Sequence, residues 1–146
     1  MLKGIDPILT AELLFVLKAM GHGDEILLCD RNHPASSLAT STTHGSVIPL
    51  FGCDLVRAAT AVLSVMPLDT FVEEPVMRMK VVGNPDQIVP IHTAMQTVIN
   101  EAEGRTVKMG AYERFDFYAA ASKCFAVVQT SDPGPYGCFL FKMGVL

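Results

Sequence analysis

The segment best suited to chemistry places a histidine between two glycines, a few residues before an aspartate. It reads Gly21-His22-Gly23, and a short apolar run then leads to Asp30. The glycines leave the imidazole unshielded by neighbouring side chains, and each costs backbone entropy on folding. Because an imidazole titrates near neutral pH, it can both donate and accept a proton there. His22 is therefore the first candidate for a catalytic acid/base.

Asp30 directly follows the strand predicted over residues 25–29, whereas His22 precedes it. Ligands of α/β proteins bind at the carboxyl ends of strands, which makes Asp30 a candidate for binding hydroxyl groups or orienting an acid/base. An extended run of about eight residues spans roughly 25 Å. Two interpretations stay open: the chain bends sharply, or His22 acts at a site shared with a second copy of the chain.

Two residues in the second half of the chain are further candidates for a binding site. Tyr136 follows a proline–glycine turn and opens the last predicted strand, where it can line a pocket or simply pack. Arg114 lies near a helix start, where the helix dipole disfavours a cation. That position suggests an outside reason, such as a ligand or an ion pair. Asp24 is interpreted as a cap or turn residue.

The remaining histidines carry weaker signals. His33 and His44 lie in polar segments and are expected to be exposed, and His92 receives no functional role. A mononuclear metal site built from His22, Asp30 and His33 is conceivable, but their spacing matches no established ligand pattern. We therefore predict neither a metal nor a cofactor.

Length and composition limit the classes of protein. We expect a single domain over residues 1–146, and the net charge of −4 with scattered Lys and Arg argues against nucleic-acid binding. Half the residues are hydrophobic and the mean hydropathy is +0.36, which predicts a homo-oligomer that buries part of its surface. No signal peptide or membrane-spanning stretch is recognisable. The four cysteines form no close pair, so we predict free thiols in a cytoplasmic protein.

Hydrophobic periodicity predicts helices that alternate with strands. The predicted helices cover residues 9–20, 54–66, 88–102 and 113–123. The predicted strands cover residues 25–29, 47–50, 76–82, 107–109, 125–129 and 139–143. This alternation indicates an α/β domain with a parallel or mixed sheet, in which the last two strands could form a hairpin.

Several local details accompany this assignment. Thr10 and Asp54 are predicted N-caps, and Gly21 is predicted to end the first helix with a positive φ. The strand over residues 76–82 alternates polar and apolar side chains and should be half exposed. Residues 35–45 are predicted to be a polar loop.

Two familiar catalytic motifs are absent from the sequence. Gly21-His22-Gly23 follows a helix and precedes a strand, which is the reverse of the order in a dinucleotide-binding fingerprint. No G-x-S-x-G nucleophile elbow occurs either. The sequence therefore gives no support for these two classes of enzyme.

Four segments in order resemble the RbsD/FucU family of L-fucose mutarotases and D-ribose pyranases. They are Met20-Gly21-His22-Gly23-Asp24-Glu25-Ile26, Asp30-Arg31-Asn32-His33-Pro34, Arg114-Phe115-Asp116-Phe117-Tyr118, and Tyr136-Gly137 with Lys142-Met143-Gly144-Val145. The resemblance extends from Met1 to the C-terminus. The Arg-Phe-x-Phe-Tyr and Tyr-Gly segments are similar to the fucose branch.

The resemblance implies a cofactor-free and metal-free sugar mutarotase with a Rossmann-like three-layer α/β/α fold. It further implies a ring, commonly a decamer, with sites at the subunit boundaries. By analogy with the family, His22 is the proton donor, and the sugar is bound by Asp30, Arg114, Tyr136, Gly137 and Cys138. Such a site would catalyse ring opening and closure of L-fucose or a related monosaccharide by general acid/base chemistry.

Cys138 departs from the family pattern, which usually has Asn after Tyr-Gly. A side-chain amide both donates and accepts hydrogen bonds, whereas a thiol does so weakly. Three alternatives therefore remain at this stage: a D-ribose pyranase-like activity, a non-catalytic sugar-binding or transport-associated protein, and a metal-dependent isomerase.

Overall fold

The structure, a computed structural model, describes residues 2–146 and contains a six-stranded sheet between two layers of helices. Its helices are α1 (Ala11–Ala19), α2 (Ala35–Ala39), α3 (Leu55–Leu63), α4 (Pro90–Glu103) and α5 (Arg114–Ala121). Its strands are β1 (Glu25–Cys29), β2 (Val47–Leu50), β3 (Val76–Met79), β4 (Met109–Tyr112), β5 (Ala126–Thr130) and β6 (Cys138–Lys142). Within the described residues, no helix has the length and apolarity needed to cross a membrane.

The sheet is mixed, with the strand order β2-β5-β1-β6-β3-β4. The pairs β1–β5, β2–β5 and β3–β4 are parallel, whereas β6 is antiparallel to both β1 and β3. The carboxyl ends of the five parallel strands therefore lie at the same edge as the amino end of β6. We call this edge the upper edge and the opposite one the lower edge. Loops that follow β1 and β3 meet the segment that enters β6 at the upper edge.

Each face of the sheet is covered by its own apolar cluster. One face packs against α1, α3 and α4, with Leu13, Leu55 and Met95 among the buried side chains that meet Phe139 and Phe141 of β6. The other face packs against α2 and α5. This arrangement confirms the α/β/α expectation.

Local signals at the helix starts act as predicted. The Thr10 hydroxyl accepts a hydrogen bond from the Leu13 N–H at 3.2 Å, and the Asp54 carboxylate accepts one from the Arg57 N–H at 2.8 Å. Pro90 occupies the first turn of α4, where its missing N–H has no intrahelical partner to lose. The two predicted caps are therefore confirmed, whereas α4 begins at Pro90 and not at the predicted residue 88.

The predicted end of the first helix is wrong in one respect. Met20 caps α1 with an extended backbone, and the positive φ belongs to Gly23 at 87°, not to Gly21. The Gly23 N–H donates to the Met143 carbonyl at 2.9 Å, just beyond the end of β6. This long-range contact sets the turn, and nothing in the local pattern indicates it.

Three further expectations differ from the structure for reasons of tertiary packing. The predicted strand over 76–82 ends at Met79 and is largely buried, because β3 lies between β6 and β4 with helices on both faces. The last two strands form no hairpin, since β1 lies between them. Residues 35–45 include the short helix α2, whose buried face consists of Ala35 and Ala39.

Candidate active site

A pocket of about 420 Å³ opens at the upper edge, where the loop after β1 meets the segment entering β6. Its volume lies within the range of small-molecule sites. The lining residues are Asp30, Asn32, His33, Met79, Val82, Arg114, Tyr118, Pro135, Tyr136 and Cys138. Four of the residues predicted from the sequence to bind a ligand are thus brought together.

Asp30 closes the floor of this pocket and is almost fully buried. Its Oδ1 accepts hydrogen bonds from the N–H groups of Asn32 at 2.7 Å and His33 at 3.0 Å, and its Oδ2 accepts one from the Gly137 N–H at 3.0 Å. Burial raises the pKa of the Asp30 carboxyl, while these three amides oppose that rise. The carboxylate therefore fastens the Gly137 segment to the end of β1, and its remaining lone pairs can accept from a ligand hydroxyl.

Tyr136 holds an uncommon backbone conformation at the mouth of β6, with φ at 60°. Non-glycine residues in this region cost energy and are concentrated at functional sites. The Tyr136 hydroxyl oxygen accepts a hydrogen bond from the Val82 N–H at 3.1 Å. Because that oxygen acts as the acceptor, its own O–H stays available to donate to a ligand.

Gly137 and Cys138 complete this segment. A Cβ added to Gly137 would lie 2.5 Å from Cδ1 of Leu55 and 3.2 Å from Cβ of Asp30. The close approach of the Gly137 segment to the end of β1 therefore favours glycine. Gly137 supports the pocket from behind rather than lining it. Cys138 is nearly buried, and its side chain forms part of the pocket wall.

Arg114 is the first residue of α5, and its guanidinium lies over two aromatic rings. Its Cζ is 5.4 Å from the centroid of the Phe115 ring and 5.8 Å from that of Tyr118. These cation–π contacts hold the cation at the pocket despite its unfavourable position at a helix start. Tyr118 was not predicted as a site residue, although its position four residues after Arg114 places both on one face of the helix.

His33 contradicts the expectation that it is exposed. The side chain is buried, with its ring 6.0 Å from that of Phe117 and 5.6 Å from that of Tyr118. Its Nε2 has no hydrogen-bond partner within residues 2–146, and burial lowers the pKa of His33 to about 4. His33 is therefore a neutral, aromatic part of the pocket wall at neutral pH.

His22 lies at the lower edge, away from the pocket. The chain does not bend back, because Gly23 bonds to Met143 beyond the end of β6. Within one chain the structure therefore does not bring His22 to Asp30. The metal-ligand trio of His22, Asp30 and His33 is not assembled either, and no such cluster occurs elsewhere among the described residues.

His22 has a partner that the sequence did not indicate. Its Nε2 lies 3.1 Å from Oδ1 of Asp69, which is buried and also accepts the Phe71 N–H at 2.9 Å. The hydrogen bond from Phe71, followed by the one from His22, holds the pKa of Asp69 below its usual value. An ionised Asp69 fixes the ring and leaves Nδ1 open, with the exposed Phe71 ring 5.0 Å away in an edge contact. Asp69 is 47 residues from His22, so no local motif could reveal this pair.

We expect Gly137→Ala to destabilise the protein and to weaken binding in the pocket. The new Cβ would displace Cδ1 of the fully buried Leu55 and would push Asp30. Overpacking of this kind costs about 1–3 kcal/mol. Chemical denaturation would measure the free energy of unfolding. Gly21→Ala is a matched control, because its Cβ would meet only Asp24 at 3.8 Å; equal stability of the two variants would contradict the close approach.

His33→Phe should reduce the sensitivity of the fold to acid. The folded pKa of His33 lies below the unfolded value of 6.5, so the unfolded chain takes up this proton first as pH falls. The stabilisation is complete above pH 6.5 and is lost as the pH approaches about 4. At 1.36 kcal/mol per pKa unit, the loss is about 3 kcal/mol. Denaturation at several pH values would measure it, and an unchanged pH dependence in His33→Phe would refute a neutral buried His33.

Comparisons with known proteins show which family this chain is similar to. The family model of the RbsD / FucU transport protein family matches residues 3–146. A protein of Mus musculus named fucose mutarotase is 42% identical, over 99% of this chain and 95% of its own. An L-fucose mutarotase of Haemophilus influenzae is 38% identical, over 99% of this chain and 97% of its own.

A solved structure supports the same relationship. The fucose mutarotase of Streptococcus pneumoniae, crystallised in complex with L-fucose, superposes with a TM-score of 0.87 at 31% identity, and the match covers 99% of both chains. Similarity at this level extends over the whole fold and not over one motif. The chain belongs to the RbsD/FucU family.

Proposed function

We propose that this protein is a sugar mutarotase that interconverts the α and β anomers of a monosaccharide, and that L-fucose is its preferred substrate. The observation that carries the proposal is the pocket at the upper edge, whose wall combines a carboxylate, a tyrosine whose O–H is available to donate, and a cation. These groups suit the several hydroxyls of a sugar. The fucose mutarotases of mouse, Haemophilus and Streptococcus, to which the chain is similar, support L-fucose as the substrate.

In the proposed reaction, the hemiacetal ring opens and closes again on the other face. A general acid protonates the ring oxygen while a base removes the proton of the anomeric hydroxyl, so that the bond between the anomeric carbon and the ring oxygen breaks and the open-chain aldehyde forms. His22 is the acid/base, and Asp69 positions it through the hydrogen bond between Nε2 and Oδ1. Asp30, Arg114 and Tyr136 bind the sugar, while Gly137 and Cys138 shape the wall. One positioned acid/base contributes about 10²–10⁴-fold, which suffices for a reaction that already proceeds slowly in water.

Because His22 and the pocket lie at opposite edges of the sheet, the proposal requires a second copy of the chain. The lower edge of one subunit would place His22 and Asp69 over the upper edge of the next. Each half carries an exposed phenylalanine, namely Phe71 beside His22 and Phe115 beside Arg114, both more than 70% exposed. Exposed apolar side chains of this size favour coverage by another protein surface.

Repetition of this head-to-tail contact closes into a ring, and we propose a decamer built from such rings. Residues 1–146 act as one mutarotase domain in it. We place the reaction in the cytoplasm, in keeping with the four free thiols. The described residues suffice for the proposed chemistry without a metal or cofactor.

His22→Asn should slow anomer exchange of L-fucose by about 10²–10⁴-fold while sugar binding and folding persist. The substitution removes the acid/base at an exposed position, so it deletes little packing. Exchange NMR between the anomers gives the rate, and saturation-difference NMR gives the binding. His44→Asn is a matched control, because His44 also pairs with a carboxylate, Glu12, at 3.1 Å. Exchange in His22→Asn at the wild-type rate would show that His22 is structural.

The shared site can be tested in the same experiment with mixed assemblies. His22→Asn keeps an intact pocket, whereas Arg114→Met keeps an intact His22. Subunits of both variants, unfolded together and reassembled one to one, should regain about a quarter of the wild-type sites if each site joins two copies. Light scattering would verify the assembly. A stable monomer, or no recovery in fully assembled mixtures, would rule out the shared site.

Cys138→Asn should keep or improve exchange of L-fucose. The substitution introduces an amide that both donates and accepts hydrogen bonds at the pocket wall. The same NMR measurement, made with L-fucose and D-ribose in parallel, would show which sugar benefits. A large loss of fucose exchange in a folded variant would indicate that the thiol is adapted to another sugar.

The competing function is sugar binding without catalysis, which the transport-protein description of the family favours. It uses the same pocket but needs no acid/base at the lower edge. A wild-type protein that binds L-fucose in the saturation-difference experiment yet leaves the exchange rate at its value in water would establish this alternative.

A further inference from the structure

A second cavity, of about 320 Å³, lies between α4 and the strands β3 and β4. It is separate from the pocket at the upper edge, which we call the sugar pocket in accordance with the proposed function. The two lie on opposite faces of β3 because side chains alternate along a strand. Met79 of β3 faces the sugar pocket, whereas the neighbouring Arg78 lines this second cavity. The polar side chains around it are those of Arg78, His92, Thr93, Gln96, Thr97 and Asn100.

Arg78 is a buried cation without a counter-charge. Its exposed fraction is 9%, and no carboxylate of residues 2–146 forms an ion pair with it. The hydrogen bond described for its guanidinium is a long one, from Nη1 to the Met79 carbonyl at 3.4 Å. An arginine stays charged in proteins, and a buried charge without a partner is strongly unfavourable. The guanidinium therefore has most of its donors free for an anion.

His92 lines the same cavity with a buried imidazole. Its exposed fraction is 1%, and its Nδ1 accepts a hydrogen bond from the Val89 N–H at 3.4 Å. An accepting Nδ1 places the proton of the neutral ring on Nε2. That Nε2 is buried and faces the Tyr136 carbonyl, outside ordinary hydrogen-bond distance, so the ring stays neutral and contributes a polar but uncharged wall.

The rest of the wall suits the hydroxyls of a small molecule. Asn100 uses its Oδ1 to accept from the Gln96 Nε2 at 2.9 Å and the Val107 N–H at 3.0 Å, so its amide NH₂ is the group left to donate. The first turn of α4 begins beside the cavity, and the positive end of the helix dipole favours negative charge there. The Arg78 cation, the Asn100 amide donor and the start of α4 all favour a negatively charged ligand.

We propose that this cavity binds a small hydroxylated anion of monosaccharide size, held by one phosphate or carboxylate group on Arg78. The threonine and amide side chains bind the hydroxyls. An oxyanion matches the planar fork of the guanidinium, which can donate two parallel hydrogen bonds to it. The site lies behind the sugar pocket and uses none of its side chains.

Calorimetry and thermal unfolding of the full-length protein can test this site, with inorganic phosphate, D-ribose 5-phosphate and D-gluconate as probes. We expect at least one probe to bind and to raise the melting temperature, and Arg78→Met to weaken that binding about tenfold to hundredfold. Binding of inorganic phosphate would show that a free inorganic anion is sufficient. Binding of D-ribose 5-phosphate or D-gluconate without binding of inorganic phosphate would show that the ligand carries hydroxyl groups. Arg105→Met removes the same charge from the surface, where Arg105 pairs with Glu103 at 3.2 Å, and should bind like wild type.

Asn100→Asp provides a second test that does not depend on removing the arginine. The carboxylate keeps the accepting Oδ1 and brings a negative charge to the cavity that Arg78 lines. It should weaken binding of the probes and raise the melting temperature in their absence. The proposal fails if none of the probes binds, if Arg78→Met binds as tightly as wild type, or if Arg78→Met disrupts the assembly, which would give the guanidinium a role between subunits.

Discussion

The structure depends on the insertion of the antiparallel strand β6 between β1 and β3. Two hydrogen bonds fasten its entrance: the Asp30 N–H donates to the Gly137 carbonyl at 2.6 Å, and the Gly137 N–H donates to the Asp30 carboxylate at 3.0 Å. The second bond is charge-assisted and nearly buried, which makes it stronger than an ordinary amide bond. Tyr136 and Cys138 reach the pocket because Gly137 permits this close approach.

The same strand separates the two halves of the proposed site. The entrance of β6 lies beside the end of β1, so its exit lies beside the start of β1. The exit carries the residues that fix the lower edge, since the Lys142 carbonyl accepts the Asp69 N–H and the Met143 carbonyl accepts the Gly23 N–H. A rigid strand thus holds the pocket and the His22–Asp69 pair apart by its own length. Only association with another copy can join them, so catalytic activity would depend on assembly of the subunits.

The histidines show how position decides the chemistry of one side chain. His22 is exposed and bonded to an ionised carboxylate, which suits the transfer of protons. His33 and His92 are buried against aromatic rings, and burial lowers the pKa of each to about 4. At neutral pH these two act as uncharged hydrogen-bonding groups. One forms the wall of the sugar pocket, and the other lines the cavity on the opposite face of the sheet.

The sequence by itself determined the local elements and most of the pocket. Alternating periodicity, the caps at Thr10 and Asp54, and the turn before Tyr136 are short-range effects that a few neighbouring residues encode. The strand end at Asp30 and the helix start at Arg114 indicated the pocket for the same reason.

Tertiary structure alone decided which of these residues meet. The pairing of His22 with Asp69, the burial of His33, and the position of Arg78 opposite Phe139, where no carboxylate of residues 2–146 pairs with it, all arise from contacts between distant segments. The alternation of β3 predicted a half-exposed strand because a polar side chain normally faces water. In the fold, helices cover both faces of β3. A pattern read along the chain reports the preference of each side chain, but its environment is set by the strands and helices that pack around it.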